Sequence, residues 1–156
     1  MNENSRNTKP TILVVDDTED IRDLVTSVLQ DTYTIRPAFD GRSALRRALE
    51  KPTPDLVRLD VDMPGASGYD VCRAIRADPA TQTLPVVMVT ALDQDLDKLQ
   101  ALRIGADDYI VKPFKPVEVV ARVHGTERLR ERADGLHHEL GERLLDLGAL
   151  DLQHRD

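Results

Sequence analysis

The sequence predicts an α/β fold: a five-stranded, doubly wound parallel sheet with a helical extension at its C-terminal end. Three observations carry this expectation. Short, β-branched-rich runs bounded by turn residues recur from Pro10 onward, each the length of one strand. Amphipathic stretches of about ten residues separate them, the alternation of right-handed βαβ units. The runs are continuously apolar instead of alternating, as in strands covered on both faces.

Thr11–Val15 (TILVV) is the first such strand and ends in Asp16–Asp17. Ile21, Leu24, Val25, Val28 and Leu29 follow at i, i+3, i+4, i+7 and i+8, one helical stripe. Tyr33–Ala38 is a weaker second strand, set near an edge by Pro37. Gly41–Glu50 is the second helix, with Ala44, Leu45, Ala48 and Leu49 inward. Leu56–Asp60 is the third strand, again with an acidic end, and Met63–Gly68 (MPGASG) is a loop by its Pro and Gly content. Tyr69–Arg76 is helical until Asp78-Pro79 breaks it. Pro85–Val89 is a fourth strand running into Thr90, and Asp95–Ile104 a fourth helix closed by Gly105. Asp108–Val111 is the fifth strand, ending at Lys112-Pro113, and Val117–His124 begins a fifth helix.

Past Gly125 the apolar residues Leu129, Ala133, Leu136, Leu140, Leu144 and Leu147 fall close to heptad spacing. Gly135, Gly141 and Gly148 each weaken that helix by about 1 kcal/mol relative to Ala. The expected organisation is a disordered segment over 1–9, one globular domain over 10–125, and a helical tail over 126–156. The tail is either a coiled coil or a linker to an output domain.

Composition narrows the function. Hydrophobic residues are 40 % and charged residues 31 %, a globular balance, and 3 % aromatics leave a core of Leu, Val, Ile and Ala. A net charge of -7 argues against nucleic-acid backbone or anionic lipid as a partner. The single cysteine, Cys72, excludes an internal disulfide and is expected to be a small buried residue. Residues 1–9 have no apolar core of a signal peptide, and no apolar run approaches the roughly twenty residues that span a bilayer. A soluble cytoplasmic protein is expected.

In an open parallel sheet, ligands bind outside the carboxyl ends of the strands. Asp16 and Asp17, Asp60, Thr90 and Lys112 all lie at such ends. Three close carboxylates do not all stay ionised at neutral pH without a cation. An oxygen-only donor set favours Mg2+. A carboxylate beside a divalent ion is a competent nucleophile toward phosphorus, giving an aspartyl-phosphate. Lys112 would add a second positive charge, and Thr90 a hydroxyl for a phosphoryl oxygen.

Four segments, ILVVDD (12–17), PDLVRLDVDMPGASGYDVC (54–72), LPVVMVTA (84–91) and GADDYIVKPF (105–114), make the chain resemble the receiver domain of two-component response regulators. The receiver is most similar to those of cyclic-dinucleotide-signalling regulators. The resemblance implies a flavodoxin-like strand order, 2-1-3-4-5. It implies Asp60 as phosphoacceptor, and Asp16, Asp17, Asp60 and the backbone carbonyl of Asp62 as metal ligands. It further implies Thr90 and Tyr109 as a switch pair and Lys112 as the phosphate-sensing lysine, followed by a cis peptide to Pro113. Such a protein is a signalling switch, not an enzyme, catalysing only its own phosphorylation and dephosphorylation. Its partners would be a sensor histidine kinase or phosphotransfer protein and a downstream protein, with no direct DNA binding and no membrane. A homodimer would form through helix four, strand five and helix five, or through the tail. Asp107, Asp108 and Arg122 would supply charged contacts across the former.

Blander readings weaken in this company. Asp16–Asp17 could simply cap the next helix, but a lysine closing an apolar strand needs an anion to meet. His137 and His138 read as solvent-facing. Asp60-Val61-Asp62 also spells the DxD motif of haloacid-dehalogenase-like phosphatases, yet there it ends the first strand and here the third. A non-phosphorylated interaction module would lack one of the five strand-end residues, and none is missing. Two residues depart from the family pattern: Asp62, an acidic side chain two positions after Asp60, and Arg58, a charge inside the third strand. Arg58 shares a face with Leu56 and Asp60. It is expected to thread past a helix to solvent or an acidic neighbour at some loss of stability, so that Arg58→Leu stabilises.

Overall fold

The computed structural model describes residues 9–91 and 95–127, the side chains of 95–98 excepted. Five strands, β1 (Thr11–Val15), β2 (Thr34–Ala38), β3 (Leu56–Asp60), β4 (Val86–Thr90) and β5 (Asp108–Val111), alternate with helices. These are α1 (Glu19–Leu29), α2 (Gly41–Leu49), α3 (Gly68–Ala77), α4 (Asp95–Ile104) and a fifth, α5, over 116–127. The strands form one parallel sheet in the order β2-β1-β3-β4-β5. This is the flavodoxin-like arrangement expected.

The alternation of side chains along each strand sorts the core into two layers. Leu13, Val15, Val57, Leu59, Val86 and Met88 pack against α2, α3 and α4 through Ala44, Ala48, Val71, Ile75 and Ala101. Ile12, Val14, Leu56, Val87 and Val89 pack against α1 and α5 through Val25, Leu29, Val119 and Val123. Every residue of β1, β3 and β4 is buried, which explains why those three runs carry no polar alternation. β2 lies at the edge, where Pro37 costs no central ladder bond. Cys72 is fully buried in the first layer.

Leu49, expected inward, is exposed, and so is one residue of the α1 stripe. Leu24 is 40 % and Leu49 50 % exposed. A five-residue stripe is wider than the arc α1 lays on the sheet, so Val25 and Leu29 are covered and Leu24 is left on the flank. Leu49 is the last residue of α2, past its packed turns. Tyr33 precedes β2 and is buried, its hydroxyl donating to Glu127 Oε2 at 2.6 Å and lying 2.8 Å from His124 Nδ1.

Local chemistry fixes the helix starts. Asp40 and Ser43 form a capping box on α2, and Ser67 and Asp70 another on α3. Gly105 ends α4 at φ +106, the left-handed region. Arg76 bonds the Gly105 carbonyl at 2.9 Å through Nε and Asp107 at 3.1 Å through Nη2. Asp107 thus pairs within the chain, as do Asp108 and Arg122 at 3.3 Å, so these groups already have intramolecular partners. The near-heptad stripe, its glycines and both tail histidines lie outside the described residues. So does the N-terminal segment 1–8.

Candidate functional site

The carboxyl ends of β1, β3, β4 and β5 meet at one rim, and each delivers a polar group to it. Asp60 closes β3 and Thr90 closes β4; both are buried. Asp16 is buried and Asp17 exposed just past β1, and Lys112 follows β5. Carboxylate oxygens of Asp16, Asp17 and Asp60 all lie within 4.8 Å of one another. Lys112 Nζ donates to Asp60 Oδ1 at 2.8 Å. The lysine closing an apolar strand does meet an anion. The Lys112-Pro113 peptide is cis.

Asp60 is held by its surroundings. The backbone N–H of Asp62 donates to Asp60 Oδ1 at 3.3 Å, which leaves the Asp62 side chain pointing to solvent. Burial pushes the Asp60 carboxyl above the ordinary carboxylate value. The hydrogen bond from Lys112 pulls it down, the Asp16 charge pushes it up, and the Lys112 and Arg58 charges pull it down. The first residue of α3, Gly68, approaches the strand end so closely that a Cβ there would lie 2.3 Å from the Asp60 carbonyl oxygen.

Thr90 and Tyr109 sit on neighbouring strands. Thr90 pairs in register with Val111, and Tyr109 with Met88. Tyr109 is half-buried against the layer that holds Met88, so hydroxyl and ring lie on the α4 side of the sheet.

Two participants were not foreseen. Arg58 does not reach solvent: it is fully buried, and its Nη1 donates to Asp16 Oδ2 at 2.8 Å and approaches the Val15 carbonyl at 3.4 Å. The expected acidic neighbour is therefore Asp16 itself, and the expected stability gain in Arg58→Leu no longer follows, because that change leaves a buried carboxylate unpaired. Arg22 Nη1 donates to the Asp16 carbonyl at 2.6 Å, fixing the loop from the other side. A register of β1 against β3, Val14 with Arg58, aims Arg58 at Asp16.

The donor set fits a hard divalent cation. It offers carboxylate oxygens from three side chains and no nitrogen or sulfur. Two ligands each about 2.1 Å from one ion lie at most about 4.2 Å apart. The oxygens here, within 4.8 Å of one another, lie close to that spacing.

The family model of the response regulator receiver domain matches residues 12–124. The regulatory protein VanRc of Enterococcus gallinarum is 46 % identical over 122 residues, covering 78 % of this chain and 51 % of that protein. The DNA-binding response regulator MtrA of Mycolicibacterium paratuberculosis is 47 % identical over 124 residues, covering 79 % and 52 %. The chain thus spans about half the length of these curated relatives. Among solved structures, the chemotaxis protein CheY4 of Vibrio cholerae superposes with a TM-score of 0.71 at 31 % identity, over 76 % of this chain and 99 % of that one. No helix among the described residues is long and apolar enough to cross a membrane. With four matching rim segments, the expected strand order and these similarities together, the chain belongs to the response regulator receiver domain family, the phosphorylatable switch of two-component signalling.

Proposed function

We propose that Asp60 accepts a phosphoryl group from a sensor histidine kinase or phosphotransfer protein. The observation that carries this is a buried strand-end carboxylate bonded to Lys112 Nζ at 2.8 Å with Asp16 and Asp17 beside it. An Asp60 oxygen bonds to phosphorus as the bond from phosphorus to the donor imidazole nitrogen breaks, and the imidazole leaves with the electron pair. Asp16, Asp17, Asp60 and the backbone carbonyl of Asp62 would hold Mg2+. When bound, it supplies positive charge against the carboxylates and the phosphoryl oxygens. Lys112 moves its ammonium from Asp60 to a phosphoryl oxygen, and Thr90 donates its hydroxyl to another. Drawing Thr90 inward leaves room for the Tyr109 ring to turn, which shifts a pre-existing equilibrium of the α4, β5 and α5 face.

Leu99, Leu102 and Val117 are exposed on α4 and α5 and give that face apolar area for a downstream protein or a second copy of the chain. The net charge of -7 favours a protein over DNA as the direct partner. The cytoplasm is the compartment in which such a kinase would meet it, and residues 128–156 would be a tail outside the receiver unit.

Incubated with magnesium and acetyl phosphate, the protein should gain one alkali-labile phosphate, and Asp60→Asn should gain none, since an amide is no nucleophile at phosphorus. Stoichiometric labelling of the Asn variant would refute the assignment.

A further inference from the structure

We propose that Arg58 is a built-in counter-cation that weakens the acidic site's hold on divalent metal, an inference that rests on the magnesium site proposed above. Both oxygens of Asp16 are engaged by protein N–H groups: Oδ2 by Arg58 Nη1 at 2.8 Å and Oδ1 by the Thr18 backbone at 2.9 Å. The Arg58–Asp16 pair is shut off from water, with side-chain exposures of 0 % and 1 %. Arg58 Nε and Nη2 have no hydrogen-bond partner among the described residues, and the ring of Phe114 lies 5.6 Å from the guanidinium carbon. The guanidinium charge is therefore answered by the acidic rim and by a ring face, not by a network of its own.

Stability does not account for such a residue. A buried ion pair is often no better than an apolar pair of the same size, and the same-face neighbour Leu56 is apolar. Charge does account for it. Three carboxylates with Lys112 and Arg58 leave one net negative charge at the rim, and without Arg58 they leave two. A fixed cation bonded to one of the three carboxylates repels an incoming divalent ion, and burial keeps water from screening it. Arg58 thus balances the metal-free site and holds Asp16 in place, leaving Asp17 and Asp60 the carboxylates most open to metal. It is a positioning residue, since it acts through Asp16.

Titration calorimetry of magnesium chloride into the metal-free full chain tests this. Arg58→Met should bind magnesium about tenfold tighter than wild type, and Arg58→Lys, which keeps the charge, within about threefold. Mere structural damage would weaken binding, so the sign separates the two causes. Arg58→Gln, which removes the charge and keeps an N–H donor for Asp16, decides the matter where Arg58→Met alone is unfolded. It too should bind about tenfold tighter than wild type. Binding by folded Arg58→Met or Arg58→Gln no tighter than about threefold over wild type would overturn the proposal. A wild type that takes up no magnesium overturns the site itself, whereas normal uptake with unchanged variants overturns only the role of Arg58.

Discussion

At Asp60 two influences oppose each other, and burial prevails over Lys112. The consequence for stability has a definite sign. Below the ordinary carboxyl value of 3.8 the group is protonated in folded and unfolded chains alike and costs nothing. As pH rises from that value through the raised one, the unfolded chain ionises first and the folded state loses ground; above the raised value the loss is complete. Metal-free Asp60→Asn should therefore have the higher urea midpoint at neutral pH, with the difference vanishing in acid. Equal midpoints at pH 7 would mean that Lys112 fully offsets burial. Asp60, Asp16, Asp17, Thr90 and Lys112 were legible as a set because each follows an apolar run, and strand ends need no tertiary information. Arg58 was legible as an anomaly and its face followed from parity, but its partner depended on the register of β1 against β3, Val14 beside Arg58, which no local pattern encodes.

Among the elements, α3 does most to shape the site, because its first turn presses on the end of β3. Gly68 donates its N–H to the Val61 carbonyl at 3.0 Å, and the Ser67–Asp70 capping box directs the helix from that contact. A Cβ on Gly68 would strike the Asp60 carbonyl and Val61, which are backbone and cannot swing aside. Gly68→Ala should thus lower stability by about 1–3 kcal/mol and slow labelling by acetyl phosphate, through displacement of Asp60. Ser67→Ala, which removes only the cap, should cost about 1 kcal/mol and leave labelling nearly unchanged. Denaturant unfolding with a labelling time course separates them, and wild-type labelling in Gly68→Ala would show that the contact does not position Asp60. The element boundaries read from sequence were good to one or two residues because caps and turn residues mark them. The same sequence placed Gly68 merely in a loop, since the closeness of α3 to β3 is a tertiary fact.

For the whole molecule, the two-layer core explains why strand pattern sufficed for the fold, while periodicity leaves the last described turn of α5 unmarked. Helix α5 closes the layer with α1, and its last described turn is still part of that packing. Thr126 is buried, and Glu127 Oε2 accepts from the Tyr33 hydroxyl at 2.6 Å. Hydrophobic periodicity cannot register either contact, because one is a threonine and the other a carboxylate meeting a phenol from the far end of α1. A boundary at Gly125, where the apolar pattern thins, cuts through this anchor. Chains ending at Glu127 and at Gly125 should both accept phosphate at Asp60, since the rim lies at the opposite ends of the strands from Tyr33. The shorter should be less stable by about 1 kcal/mol, the worth of a part-buried hydrogen bond to a charged acceptor with some packing. Tyr33→Phe in the longer chain should reproduce most of that loss, tying it to the phenol and not to chain length. Urea unfolding of the three proteins measures it, and coincident transitions for the two truncations would place the end of the cooperative unit at or before Gly125.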